Sequence, residues 1–211
     1  MKNINPGLKK YIEEKLFPQY NQNEEGHGIN HIKDVIRRSF DLIEQNELKL
    51  DSNMVYVIAA YHDIGHHIDA KNHEKVSAEI MSKDERLKDF FDEEQLQIIK
   101  ESIEDHRASS KLEPRSIYGK LVSSADRNNT VEQCLERTYK YGKEHSPNAT
   151  DREIYEEAFE VMTKKFGYNG YAKYYFKDKQ YEAFLKDIRA LLEDKEHFCK
   201  VQEEYIKSLN L

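Results

Sequence analysis

Little in this chain points away from helices. Four prolines and eight glycines in 211 residues are too few for the dense turns of an all-β sandwich or barrel. Two cysteines, Cys134 and Cys199, lie far apart in helical patterns and cannot build a disulfide framework or a thiolate metal site, so both read as reduced and structural. No apolar run approaches the roughly 18 residues of a membrane span, and Met1–Lys10 shows no apolar core of a secretory signal. The charge is −7, with both signs interspersed. No basic footprint marks a nucleic-acid partner. Neither a membrane nor a nucleic acid is expected, and the cytoplasm is the expected location.

Two motif absences narrow the chemistry further. His73-Glu74 is not followed by a histidine at the zincin spacing, and neither a phosphate-cradling Walker sequence nor a dinucleotide-binding glycine pattern occurs. What remains is 38% hydrophobic and 35% charged, ordinary for a helix-rich globular chain with a buried core. One all-α domain over 1–211 is expected, with a C-terminal helical extension from about residue 150.

The helical period runs almost throughout. Ile32, Val35, Ile36, Phe40 and Ile43 predict a helix from about 30 to 46. Asp51 is an N-cap for a second helix, apolar nearly all round and therefore central. Gly65 falls where a C-terminal cap belongs, placing His62 and Asp63 in the last turn. Further helices are predicted over 72–83, 92–107, 114–128 (opened by Pro114), 129–144, 151–166 and, with a break, 178–208. A loop is expected at 146–150. The tyrosines Tyr168, Tyr171, Tyr174, Tyr175 and Tyr181 suit core or homodimer packing, with stacking on a base as the alternative.

Seven of the nine histidines precede residue 107. The doublet His62-Asp63 at the end of a buried helix is costly unless both side chains are paired or bound. A divalent cation satisfies both, accepting a neutral imidazole and a carboxylate. His31, at the start of the preceding amphipathic helix, and Asp126, on the apolar stripe of Leu121 and Val122, are the further candidates. His27, four residues before His31, competes with it.

The ordered set His31, His62-Asp63, Asp126, with Ala59-Ala60-Tyr61-His62-Asp63-Ile64-Gly65 around the doublet, resembles the H…HD…D signature of the HD superfamily. The resemblance covers about residues 25–128. It implies an all-helical HD-domain bundle in which His31, His62, Asp63 and Asp126 bind a divalent metal, and it selects His31 over His27. It implies a metal-dependent phosphohydrolase of a phosphate ester or anhydride, with a small phosphorylated molecule, first of all a nucleotide, as substrate. The alternative is a regulatory module that holds metal and nucleotide without turnover. Mn, Fe, Mg, Ni, Co and Zn all suit two histidines and two carboxylates.

His73 and His106 stand where some members of the superfamily carry ligands for a second metal, and others carry groups for substrate phosphate or proton transfer. With Asp63 they are the candidate catalytic residues. Lys71, Arg107 and Arg127 flank the motif and are the candidate phosphate contacts, beside Lys75. Asp69 and Glu74 are the nearest carboxylates after the doublet, and neither matches the water-activating patterns of the superfamily. His66 and His67 are expected at the rim or in solvent.

Overall fold

The computed structural model describes residues 3–108, 110, 112–127, 129–172 and 174–211, with the backbone alone of Glu25. Among them there are ten α-helices and no strand, and no helix is long and apolar enough to cross a membrane. The helices are α1 (Pro6–Tyr11), α2 (Ile29–Gln45), α3 (Ser52–Tyr61), α4 (His73–Ser82), α5 (Glu93–Glu104), α6 (Ile117–Ala125), α7 (Val131–His145), α8 (Asp151–Phe166), α9 (Lys179–Leu191) and α10 (Lys195–Ser208). The expected all-α class is therefore the observed one.

The helices fall into two compact units, Met1–Asn128 with Tyr174–Lys177, and Asn129–Lys173 with Asp178–Leu211. In the first, α3 is buried along its length from Met54 to Tyr61, as its all-round apolar sequence predicts, and α2, α5 and α6 pack around it. Asp51 caps α3, accepting from the backbone N–H groups of Asn53 and Met54 and so satisfying donors the first turn cannot pair. In the second unit α7, α8, α9 and α10 enclose a separate core of Leu135, Ile154, Met162, Phe166, Tyr181, Ile188 and Phe198. Capping boxes at Thr130/Gln133 and Thr150/Glu153 start α7 and α8.

Several boundaries depart from the sequence expectations. α6 begins at Ile117 behind a Ser116 cap, because the Ser116 hydroxyl accepts from Gly119 N at 2.9 Å, so Pro114 stands outside the helix. Asn128, the expected end of that helix, lies outside the described residues. α3 ends at Tyr61 with His62 as its C-cap. Gly65 has no positive φ and is required for a different reason. A methyl there would come within 2.7 Å of Val76 Cγ1 and 2.8 Å of the Ser77 backbone N, so glycine permits close approach of α4. The contact is sealed by Gly65 N–H donating to Ser77 Oγ at 3.0 Å. The segment Pro6–Gln22, not among the helices predicted, is a run of short α-, π- and 3-10 turns that buries Leu8, Ile12, Leu16 and Tyr20.

Candidate metal centre

Helix ends build this site. His62 is the C-cap of α3 and Asp126 the C-cap of α6, while His106 follows the end of α5 by two residues. Helix C-termini carry partial negative charge and orphan carbonyls, so three of them gathered together favour a cation. His31 and His73 enter from the first turns of α2 and α4.

Backbone carbonyls set three of the imidazole tautomers. His62 Nδ1 lies 2.8 Å from Ala59 O, His73 Nδ1 2.9 Å from Ala70 O, and His106 Nδ1 2.6 Å from Ile103 O. A carbonyl can only accept, so in each case Nδ1 carries the proton, and in the neutral ring Nε2 presents a lone pair. The lone pairs of His73 and His106 face each other, with Nε2 atoms 3.1 Å apart, and His62 Nε2 is 3.3 Å from His31 Nε2.

Carboxylate oxygens complete both groups. Asp63 Oδ2 is 3.4 Å from the Nε2 atoms of His31 and His62, and Asp126 Oδ1 is 3.1 Å and 3.7 Å from the same two atoms. Ligands held about 2.1 Å from one ion lie roughly 3.0 Å apart in an octahedron and roughly 3.4 Å apart in a tetrahedron. The two histidines therefore stand from each other and from either carboxylate at close to the spacing of a coordination shell, and His31, His62 and Asp126 form one group able to hold an ion. On the other side of the same carboxylate, Asp63 Oδ1 is 3.4 Å from His73 Nε2 and 3.5 Å from His106 Nε2, and it is buried without a hydrogen-bond partner. A buried anionic oxygen left unpaired among histidine lone pairs fits a cation better than it fits any protein partner.

The electrostatics agree. Burial, the largest influence on His62, pushes its pKa down, but Asp63 and Asp126 overcome it and hold it well above the ordinary imidazole value. His31 is raised in the same way by Asp126 and Asp63 against its own burial. Asp63 and Asp126 are held well below the carboxylate range, the histidines outweighing the opposing effect of burial. Protons thus stand in for positive charge in this arrangement. At His73, burial, reinforced by His106, lowers the pKa, which keeps its lone pair available.

Surrounding side chains brace the helix ends. Tyr20 OH donates to Ala60 O at 2.6 Å, next to the doublet, and Arg38 Nε donates to Ala125 O at 2.9 Å, next to Asp126. Both carbonyls belong to final turns without helical partners.

Of the expected residues, His31, His62, Asp63, Asp126, His73 and His106 converge, and Lys71, Arg107 and Arg127 take other surroundings. Lys71 is exposed. Arg107 donates to Lys71 O and to Glu74 Oε2, tying the end of α5 to the start of α4. Arg127 is buried, with its guanidinium 5.8 Å from the Tyr175 ring centre and donating to Ser123 Oγ. Asp69 is bound up with the backbone of Lys71 and with Asn72.

Two histidines depart from expectation. His27 is at the centre: its Nδ1 lies 2.7 Å from Asp63 Oδ2. The repeat of histidine at 27 and 31 was the available signal. His66 is 9% exposed rather than at the rim, because its ring stacks on His27 with centroids 3.7 Å apart. Burial lowers its pKa to about 4. His67 is exposed, as expected, and hydrogen-bonded to Asn23.

No curated protein and no solved structure matches the chain. The sequence model of the HD domain family matches residues 28–129, a span holding His31, His62, Asp63, His73, His106 and Asp126. Residues 28–129 thus match an HD domain, the domain of a superfamily of metal-dependent phosphohydrolases.

Proposed function

We propose that the chain hydrolyses a phosphate ester or anhydride of a small phosphorylated molecule, a nucleotide in the first instance, using two divalent ions that share Asp63. The observation that carries this reading is the division of one carboxylate. Asp63 Oδ2 faces His31 and His62, while the buried, unpartnered Oδ1 faces His73 and His106.

His31, His62, Asp63 Oδ2 and Asp126 would hold one ion, and Asp63 Oδ1, His73 and His106 the second. When bound, such ions lower the pKa of water and neutralise charge developing on a phosphoryl oxygen. The protein's part is orientation: backbone carbonyls fix three imidazoles with Nε2 inward, so little reorganisation accompanies binding. In this reading His73 and His106 act as ligands, because a facing pair of lone pairs at 3.1 Å suits a cation between them better than proton delivery. Lys71, exposed and two residues before His73, is the cation we assign to the substrate phosphate. Arg107, paired with Glu74, and Arg127, buried against Tyr175 and Ser123, are assigned to bracing the surrounding helices. Glu74 is paired with Arg107 at 3.3 Å, which argues against it as the water-activating base. Two free, buried cysteines support the reducing cytoplasm as the location.

Metal analysis of the purified chain, with a panel of nucleotides assayed under Mn²⁺, Mg²⁺, Ni²⁺ and Co²⁺, tests the proposal. Two ions per chain and metal-dependent phosphate release are expected. Metal binding without turnover on any nucleotide would favour a regulatory module, and no binding at all would end the proposal.

A further inference from the structure

Asp63 is held twice from one segment that contributes no expected ligand. Its carboxylate Oδ2 lies 2.7 Å from His27 Nδ1, and its backbone carbonyl accepts from Asn23 Nδ2 at 2.9 Å. The same Asn23 amide donates to His27 O at 2.9 Å, while its Oδ1 accepts from His67 N at 3.1 Å and His67 Nδ1 at 3.0 Å. One half-buried amide thus joins the short turn ending at His27, the end of α3 and the His66-His67 turn.

We infer that His27 is a positioning residue, fixed by Asn23, that sets the plane of the Asp63 carboxylate so that its two oxygens face two different ligand groups. The inference rests on the two-ion reading of the site. An aspartate carboxylate turns easily about its last bond, since that torsion has broad minima. A turn here would move Oδ2 away from His31 and His62 and Oδ1 away from His73 and His106 together. A hydrogen bond to Oδ2 alone removes this freedom. It is charge-assisted on the acceptor side, and the carboxylate can only accept, so the imidazole N–H is the donor.

His27 acts through Asp63 rather than as a ligand beside Glu24 and His66. His66 Nδ1 is 3.8 Å from Glu24 Oε1, which brings the three side chains together. However, the His27 and His66 rings are stacked 14° from parallel at 3.7 Å. A coordinated ion lies in the plane of each imidazole that binds it, about 2.1 Å from the nitrogen, and the planes of two rings stacked this closely to parallel meet only far beyond that reach. With Nδ1 committed to Asp63, the stack instead limits tilting of the His27 ring.

Titration of Mn²⁺ into the metal-free 211-residue chain, followed by calorimetry, tests this with His27→Phe, His27→Asn and Asn23→Ala. Outer hydrogen-bond partners of metal ligands typically account for about 10- to 100-fold in affinity. His27→Phe is expected to weaken at least one Mn²⁺ site by about tenfold or more. His27→Asn, whose amide N–H stands near the position of Nδ1–H, is expected to recover most of that loss. Asn23→Ala is expected to weaken the same site less than His27→Phe does. Circular dichroism and melting of the metal-free variants separate this from misfolding, and a variant that keeps its helix content and melting profile is scored on affinity. Unchanged affinity in His27→Phe, or equal losses in His27→Phe and His27→Asn, overturns the positioning role. Failure of the unaltered chain to bind Mn²⁺ overturns the two-ion reading as well.

Discussion

The two units bury polar groups for different ends. In the second, Gln202 Nε2 donates to Leu135 O at 2.8 Å and to Thr138 Oγ1 at 3.1 Å, and Asp178 caps α9 through Gln180 N and Tyr181 N. Each is a local repair of backbone or hydroxyl valence in an apolar core. In the first, His62, Asp63, His66, His73 and His106 are all buried, and with His31 and Asp126 they face one another more than they face the backbone. The His, Asp and Glu groups spaced for a metal ion also lie there, among the described residues. Both units are built from capped amphipathic helices. What separates them is where the helix ends point, because a core can absorb one orphan polar group through a carbonyl, whereas a concentration of them requires charge from outside the chain.

That contrast breaks first at Asp63. Asp63→Ala removes donors from both ligand groups, so metal-dependent phosphate release should fall by more than the roughly 100-fold that outer partners account for, with bound metal measured alongside. Loss confined to one ion, with the other retained, would show that the carboxylate is not shared.

A pH titration comes next. His31 and His62 have raised pKa values and hold their protons in the metal-free chain to higher pH than an ordinary imidazole. Metal must displace those protons, so affinity should rise with pH until both rings are deprotonated, by up to about tenfold per pH unit for each proton released. Proton release measured in buffers of different ionisation enthalpy checks the sign. In the metal-free chain the stabilisation from these raised histidines is present at low pH and lost as pH rises through their folded values. That from Asp63 and Asp126, which are lowered, is lost as pH falls through theirs.

Glycine substitutions compare the units directly. Gly65→Ala meets Val76 and the Ser77 backbone, whereas Gly142→Ala meets Ile154 side-chain atoms, the nearest at 2.6 Å. A side chain adjusts more readily than backbone, so chemical denaturation should show about 2–3 kcal/mol lost for Gly65→Ala and about 1 kcal/mol for Gly142→Ala. Equal losses would remove the distinction. Smallest of all, Gln202→Leu should lower stability by about 1 kcal/mol and leave Mn²⁺ affinity unchanged.

Much of this was legible in the sequence, for identifiable reasons. The α2 stripe, the Asp51 cap and the buried α3 follow from local periodicity and capping, and the six converging residues sit at helix ends that the same periodicity marks. The His27 contact depends on a hydrogen bond across 36 residues and on Asn23, whose partners lie 40 and 44 residues away, so the repeat of histidine at 27 and 31 signals the residue but not its partner. The burial of His66 arises from stacking on that same ring. Pro114 misled because the Ser116 hydroxyl outcompetes it as a helix start.

Gly65 also bears on motion. With no side chain between them, the turn after Asp63 and the first turns of α4 rest backbone against side chain and backbone, joined by the Ser77 hydroxyl. A seam without a flexible spacer transmits displacement instead of absorbing it, so Asp63 and His73 ride on one stiff piece of the protein. The main chain then fixes the separation of the two segments that carry Oδ1 and Nε2, leaving only the carboxylate plane to His27, and thermal fluctuation there should resemble that of the core more than that of a surface cleft.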